Sequence, residues 1–507
     1  SPVGAKTDFR GNHEQICIQY RQIARAAGKN LPHYQRKSDD KGTHEKATHG
    51  DVLQHHRAHQ WVGNHRSSAI AQTGKDAFRI VTGLKGDIND TWSYDVSYLY
   101  ANTRSTSTYV NDFFAPNITK NIDPDTADIL YDVFTYQGVT SEQAAALTGV
   151  GILNGNTSTE VLQGFVTGDL FTLPTASDPI KVVVGYEWRE EMFERQSDTV
   201  FEEGQLLGQG GPTPSLIGGY NVTEFFGEAN VPLFDGLALD LAYRYSDYST
   251  VGGQDTYRVG LDWQPIDLVR FRVGYNRAVR APNAAELFAV NNLGLWAGVD
   301  PCGGIIANGE SPEYTAAQCA NTGVTAAQYG NIALSPADQY NQITGGNPDL
   351  QAEEADTITL GVVLTPTDDL SISVDYWSIE IEETITGIGA ENIVRQCAEN
   401  GLFCDQITRS GSGSLWQGET GYVTNSLLNG GKGELEGIDV AGTWSRDALG
   451  GSIDVRLIGT INMTKEIEIP GADTYDCSGL ISSRCYPQPE WRHTLEASYD
   501  SNNFWAV

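Results

Sequence analysis

The sequence predicts an all-β fold, a transmembrane antiparallel β-barrel, on three observations. Segments of alternating apolar and polar residues recur along most of the chain, the connections between them alternate between short and long, and no apolar run approaches the roughly 18 residues of a membrane-crossing helix.

The alternation recurs in five places. Tyr94, Val96, Tyr98 and Tyr100 alternate with Asp95, Ser97 and Leu99, and Val182, Val184, Tyr186 and Trp188 with Val183, Gly185 and Glu187. Leu237, Leu239, Leu241, Tyr243 and Tyr245 interleave with Ala238, Asp240, Ala242, Arg244 and Ser246, and Tyr257, Val259, Leu261 and Trp263 with Arg258, Gly260 and Asp262. The run from Val269 sets Val269, Phe271, Val273 and Tyr275 against Arg270, Arg272, Gly274 and Asn276. Successive strand residues point to opposite faces, so each segment has a greasy side and a wet one. The wet sides mix charges with Gly and Ser, which suits a hydrated lumen better than a packed core, and Tyr and Trp gather towards strand ends as in an aromatic girdle.

Short connections rich in Pro, Asp, Gly or Asn stand at 88–91, 174–179, 232–236, 264–267, 365–369 and 446–451. Between them lie long stretches at about 104–160, 191–219, 278–354, 382–433 and 463–489, with only 248–254 brief. Short periplasmic turns and long external loops are the outer-membrane pattern. Hairpins are expected at about 78–103, 161–190, 220–247, 254–277, 355–381 and 434–462, with a further start at 490–507, giving 13 to 14 strands. The chain stops at "NNFWAV" without a terminal aromatic, so further strands are expected beyond both ends.

Composition narrows the partners. The net charge of -32 divides unevenly: residues 1–76 hold 12 Lys and Arg against 7 Asp and Glu, the remainder 21 against 58, and eight of nine histidines lie between 13 and 65. An acidic body argues against nucleic acid. Six of seven cysteines form sequence-local couples in loop-like sequence, Cys302 with Cys319, Cys397 with Cys404 and Cys477 with Cys485. That pattern predicts three loop-closing disulfides in an oxidising compartment. The sequence offers no GxSxG, HExxH or phosphate-binding Gly loop, so no enzyme is expected; Glu382 and Glu383 read as rim charges, and Asp123, Asp125 and Asp128 lack the rest of an EF-hand. No cofactor or resident metal is expected.

The segment "NRAVRAPNAAELF", with Arg277, Arg280, Ala281, Pro282, Glu286, Leu287 and Phe288, resembles a strand-tip motif of the TonB-dependent outer-membrane receptors. "GGNPDLQAEEADTITLGVVLTP" is similar to their Asn-Pro-x-Leu-x-x-Glu signature through Asn347, Pro348, Leu350 and Glu353, and "LAYRYSDYSTVGGQDTYRVGLDWQP" and "PEWRHTLEASYD" are likewise family-like. The resemblance covers about 78–507. It implies a 22-stranded barrel in the outer membrane of a Gram-negative bacterium that binds a scarce large nutrient at external loops and imports it with energy from the TonB-ExbB-ExbD complex. Ferric siderophores are the first cargo implied, with cobalamin, haem, saccharides and peptides as alternatives; a passive porin or adhesin is the competing reading, and a soluble secreted protein the third.

Residue roles follow. Pro282 ends a strand because it cannot donate to the ladder, Arg280 and Glu286 tie the emerging loop to the rim, and Arg277, on the outward parity, meets lipopolysaccharide phosphates. Trp296, Tyr314, Tyr329, Tyr340, Trp416 and Tyr422 are loop aromatics suited to stacking on a ligand, though most of them are expected to pack loop on loop instead. The plug and TonB-engaging box of the family are not recognisable. Residues 1–76 are therefore set apart from the partial barrel 77–507 as a His-rich basic segment, read as metal or haem capture through His55, His56 and His59, as a disordered arm, or as a misread frame, the last best explaining the abrupt swing in charge; the segment is expected to be dispensable for the fold.

Overall fold

The computed structural model describes residues 56–59, 69–131, 140–209, 211–472, 474–482, 485–501 and 504–506. Strands β1 (His56–His59), β2 (Ile70–Asp87), β3 (Trp92–Phe113), β4 (Thr148–Thr172), β5 (Pro179–Ser197), β6 (Leu216–Phe234), β7 (Leu237–Tyr248), β8 (Gly252–Ile266) and β9 (Val269–Arg280) pair in sequence order, each antiparallel to the last. The chain then leaves this sheet for β10 (Asn292–Ala297), β11 (Gly304–Ile305), β12 (Asn331–Ile332) and β13 (Gln339–Thr344), returns as β14 (Glu353–Thr367) and β15 (Leu370–Thr386), leaves again for β16 (Ile407–Thr408) and β17 (Tyr422–Thr424), and returns as β18 (Leu428–Ala448) and β19 (Gly451–Glu468). A short β20 (Tyr475–Asp476) pairs back on β19, and β21 (Trp491–Ser501) and β22 (Phe504–Ala506) complete the path.

Every hairpin expected from the sequence is present, and each is longer than expected. The short connection 88–91 is as expected and 173–178 is offset by one residue, the others shrink to 235–236, 267–268, 368–369 and 449–450, and the long ones span 114–147, 198–215, 281–352, 387–427 and 469–490, with 249–251 brief as expected. The strands run on past the alternating segments at their long-loop ends, where stretches such as 154–160 are polar on both faces and parity leaves no trace. One boundary moves. β2 begins at Ile70 and β1 pairs with it, so the ladder crosses the division expected at 76/77; the period-2 signal failed there because Gln72, Thr73, Gly74 and Lys75 present no greasy face. The side chains of the histidine cluster at 55–59 lie outside the described residues.

The register converts sequence parity into two walls. Across nine strands, β6 to β9, β14, β15, β18, β19 and β21, one row reads Val231, Leu239, Leu261, Val273, Leu360, Tyr376, Ile438, Ile461 and Trp491. A neighbouring row on the other face, from β8 to β21, reads Asp262, Arg272, Gly361, Asp375, Asp439, Thr460 and Arg492. Val273 is 46% exposed and Leu360 48%, exposure that hydrocarbon and not water relieves. Two aromatic pairs bracket this band on β8 and β9: Tyr257 with Tyr275, ring centroids 6.0 Å apart, and Trp263 stacked on Phe271 at 5.5 Å. Tyr257 and Trp263 are six residues apart along one strand, about 20 Å at the strand rise, the scale of the apolar belt of a barrel.

The wet face is stitched by ion pairs. Arg270 grips Asp262, and Arg272 donates to Asp375 at 2.7 and 2.8 Å across the intervening β14. That reach needs Gly361, where a Cβ would stand 2.1 Å from Asp375 Oδ1.

The two longest connections, 281–352 and 387–427, pack on each other rather than hanging free. Strands β10, β13, β17 and β16 form a four-stranded sheet drawn from both. Trp296, Tyr340, Ile393, Val394, Leu415 and Val423 are buried in one core under the helix Ala390–Asn400; a second core joins Cys302, Cys319, Val324 and Ile332 to Ala398 of that helix. All three expected disulfides form, with Cα separations of 5.6, 4.9 and 5.4 Å for Cys302–Cys319, Cys397–Cys404 and Cys477–Cys485. An enclosed ion pair ties the loops together: Arg409 Nη1 and Nη2 lie 2.7 and 2.9 Å from the Asp300 carboxylate, and the guanidinium also donates to the carbonyls of Thr322 and Gly413.

Two outcomes are expected. Val273→Arg should cost about 2–4 kcal/mol near the midplane and Ala242→Arg, on the wet face, much less, read from unfolding in detergent or bilayers; Gly274→Arg is a poor control because its Cβ would meet Thr359 Oγ1 at 2.7 Å. Arg409→Met leaves the Asp300 carboxylate buried without its counter-charge, so amide exchange in β10 and β13 should accelerate by about 3–5 kcal/mol of lost protection while exchange in β7 to β9 stays unchanged.

Candidate functional site

The external end of the wall is where the resemblance placed its motifs, and the structure brings the two motifs into contact. Arg280 closes β9 and Glu353 opens β14, and they are register partners. The 72 residues between them therefore leave and return at one point. Arg280 Nε and Nη2 donate to the two oxygens of Glu353 at 2.5 and 2.7 Å, a bidentate fork, and Nη1 donates to Glu286 at 3.0 Å. Glu353 also accepts the Ile385 amide at 2.8 Å, which adds β15 to the same clasp.

Local chemistry places Glu286. Pro282 ends the ladder, Asn283 caps the short helix Ala284–Phe288 by accepting from the amides of Ala285 and Glu286, and Glu286 reaches back to the Asn283 amide at 2.8 Å, a capping box. One carboxylate thus serves the helix start and the rim arginine together. Asn283 was not singled out from the sequence, although Asn three residues before Glu is a visible N-terminus signature.

The second motif fastens the returning end. Asn347 donates through its backbone amide to the Glu286 carbonyl at 2.8 Å and through its side chain to the Leu427 carbonyl at 3.0 Å; Leu350 is buried, and Pro348 is exposed between them. Gly346 passes so close to the helix end that a Cβ would sit 2.6 Å from the Ala289 nitrogen.

Arg277 departs from expectation. It does lie on the outward face, but its guanidinium donates to Asp356 at 2.7 and 3.0 Å and stands 3.4 Å from Glu354, with Tyr275 donating to the same Asp356 at 2.8 Å. Its charge is already matched by carboxylates and is not a free anchor for phosphate. The side chains around it on that rim, Glu380, Glu382, Glu434 and Glu436, are acidic, and Lys432 pairs with Glu380.

The loop aromatics divide. Trp296 and Tyr340 are cross-strand partners 7% and 1% exposed, stacked at 4.8 Å inside the loop core, the loop-on-loop packing expected for most of these aromatics. Tyr314 and Tyr329 pack against the second core, Tyr329 donating to the Tyr314 carbonyl at 2.8 Å and Tyr314 to Glu399; burial first, and then that carboxylate, holds the Tyr314 phenol above its ordinary range. Trp416 is half-buried and donates to the Ala333 carbonyl at 2.8 Å, and Tyr422 is half-buried in β17. At the acidic stretch of loop 114–147, Asp128 pairs with Lys120 and Asp123 caps its own turn.

The clasp should be measurable. Glu353→Gln keeps the volume but removes the charge, and base amides at 346–352 should lose about 1.5–3 kcal/mol of exchange protection; Arg277→Met, at a more exposed pair, should lose under about 1 kcal/mol there. A cycle of Arg280→Met with Glu353→Gln should show coupling, and strict additivity would remove the clasp.

Comparison with known proteins follows the same outline. The TonB dependent receptor-like β-barrel family matches residues 22–506, beginning well inside the segment that the sequence set apart. No curated protein sequence matches the chain. Among solved structures, a mutant of the ferric enterobactin receptor PfeA from Pseudomonas aeruginosa aligns with a TM-score of 0.50 at 17% identity, over 86% of this chain and 48% of that one. The siderophore receptor PirA from Acinetobacter baumannii aligns at 0.46 and 14% identity, over 85% and 56%, and the RagAB peptide transporter at 0.45 and 12%, over 80% and 38%. The chain spans about half the length of the two receptors and 38% of the RagAB chain. With one family matched across nearly its whole length, and the hairpins, the outward apolar band and the clasped loop base in place, the chain belongs to the TonB-dependent receptor β-barrel family.

Proposed function

We propose that the full-length protein is an outer-membrane active importer: a scarce, large nutrient binds at the external loops, and force delivered by the TonB-ExbB-ExbD complex moves it through the barrel. The observation that carries this reading is the wall itself, antiparallel hairpins with all long connections at one end, within a family match over 22–506. Ferric siderophores are the cargo class to test first, since the resemblance implies them first and a solved Pseudomonas relative is by description a ferric enterobactin receptor. Saccharides, cobalamin and peptides are the alternatives. Outer-leaflet lipid and lipopolysaccharide cover the outward face, with the Tyr257 and Tyr275 girdle at the headgroups rather than Arg277 as the anchor.

The protein is proposed to act as a transporter and not as an enzyme. Restored to full length in a siderophore-dependent host, it should take up cargo only when TonB is present, because a plugged barrel does not leak. Uptake of equal rate in a TonB-deficient strain would point instead to a passive porin of the same fold.

A further inference from the structure

The external connections are one-sided in charge. Across 114–147, 198–215, 249–251, 281–352, 387–427 and 469–490 there are 21 Asp and Glu against four Lys and Arg, with no histidine; the longest, 281–352, holds six carboxylates and no cation at all. Three of the four cations are among the described residues, and each is engaged. Lys120 Nζ lies 2.5 Å from Asp128, Arg395 bridges Glu313 at 2.6 Å and Glu391 at 2.8 Å, and Arg409 is enclosed with Asp300. The cations at the strand tips below them are engaged too: Arg277 by Asp356, Arg280 by Glu353 and Glu286, Lys432 by Glu380.

Recognition of a polyanion needs guanidinium or ammonium groups able to face it, because desolvating several negative charges without a matched cation is unfavourable. Among the described residues the cations of these connections already hold carboxylates, and at the strand ends Arg195 donates to the Pro214 carbonyl and Lys465 to Gln488. Freeing one, such as Arg395, would leave Glu313 and Glu391 beside the incoming anion, so the exchange gains little.

We propose that the cargo admitted at this mouth is neutral or cationic, and that the ferric complex it takes belongs to the hydroxamate type, without net negative charge, rather than to the tris-catecholate type. Iron(III) held by three catecholate dianions is a trianion; held by three hydroxamate monoanions it is neutral, or cationic where the chelator carries an ammonium. The inference rests on the transport reading above. Opposite charge at the mouth concentrates a cationic complex, like charge depletes a trianion, and both effects weaken as salt shortens the screening length.

The test titrates full-length receptor in detergent with three probes, following tryptophan fluorescence: a neutral ferric trihydroxamate, a monocationic one and a ferric tris-catecholate. At about 0.05 M salt the trianion should bind at least about 10-fold more weakly than the other two, and the gap should narrow at about 0.5 M. Glu310→Lys with Glu419→Lys, both on exposed loop positions, should narrow the gap at low salt as well. Trianion binding as tight as that of the neutral complex, or a gap unmoved by salt and by the lysine pair, overturns the inference while leaving energised import standing. Failure of all three probes to bind removes the siderophore cargo and this inference with it, and the TonB dependence of uptake remains a separate measurement.

Discussion

A wall of strands in hydrocarbon has no water to satisfy its backbone, so the antiparallel hydrogen-bond ladder is the interaction on which everything else here depends. It dictates strand length, and it forces side chains to alternate between lipid and lumen. It also fixes where chemistry can happen. Only the ends of the strands, where the ladder meets water, are free to carry long connections, and the apolar row from Val231 to Trp491 can hold its register because each residue of it is a ladder partner of the next.

Within that constraint, the lumenal face solves a packing problem of its own. Charges on neighbouring strands must pair, yet the strand between them is only a few ångström wide. Arg272 and Asp375 pair over Gly361, a position that any side chain would fill. The same economy governs the rim, where Glu353 accepts from Arg280 and from the Ile385 amide, and Glu286 serves a helix start and a strand end. A 72-residue excursion is costly to close from a disordered chain, though the cost grows only with the logarithm of length. The clasp, the cores shared with the neighbouring loop and the Cys302–Cys319 disulfide offset it by holding the base and the interior.

The loops then become a surface with a sign. Their carboxylates outnumber cations and the described cations are internal ties, so the field at the mouth comes from the acids. Among the loop aromatics, Trp296 and Tyr340 are the filling that keeps this surface in shape.

Parity and punctuation carried the wall in the sequence, because a period of two and a Pro, Gly or Asp turn are local properties that lipid on one side and water on the other enforce at every residue. Hence the hairpins, the outward Val273 and Leu241 and the three short-range disulfides were legible. The strand Ile70–Asp87 was legible only from Phe78 on, since its polar first residues show no period. Contacts between residues distant in the chain were not legible. Nothing near Arg409 indicates Asp300, 109 positions away, and nothing about Trp296 distinguishes a stacking platform from a core residue until β13 lays Tyr340 against it. Whether Arg277 is a free cation likewise depends on which residue of β14 stands opposite, and the register chose Asp356, because tertiary structure alone decides which charges share a dielectric and which faces water can reach.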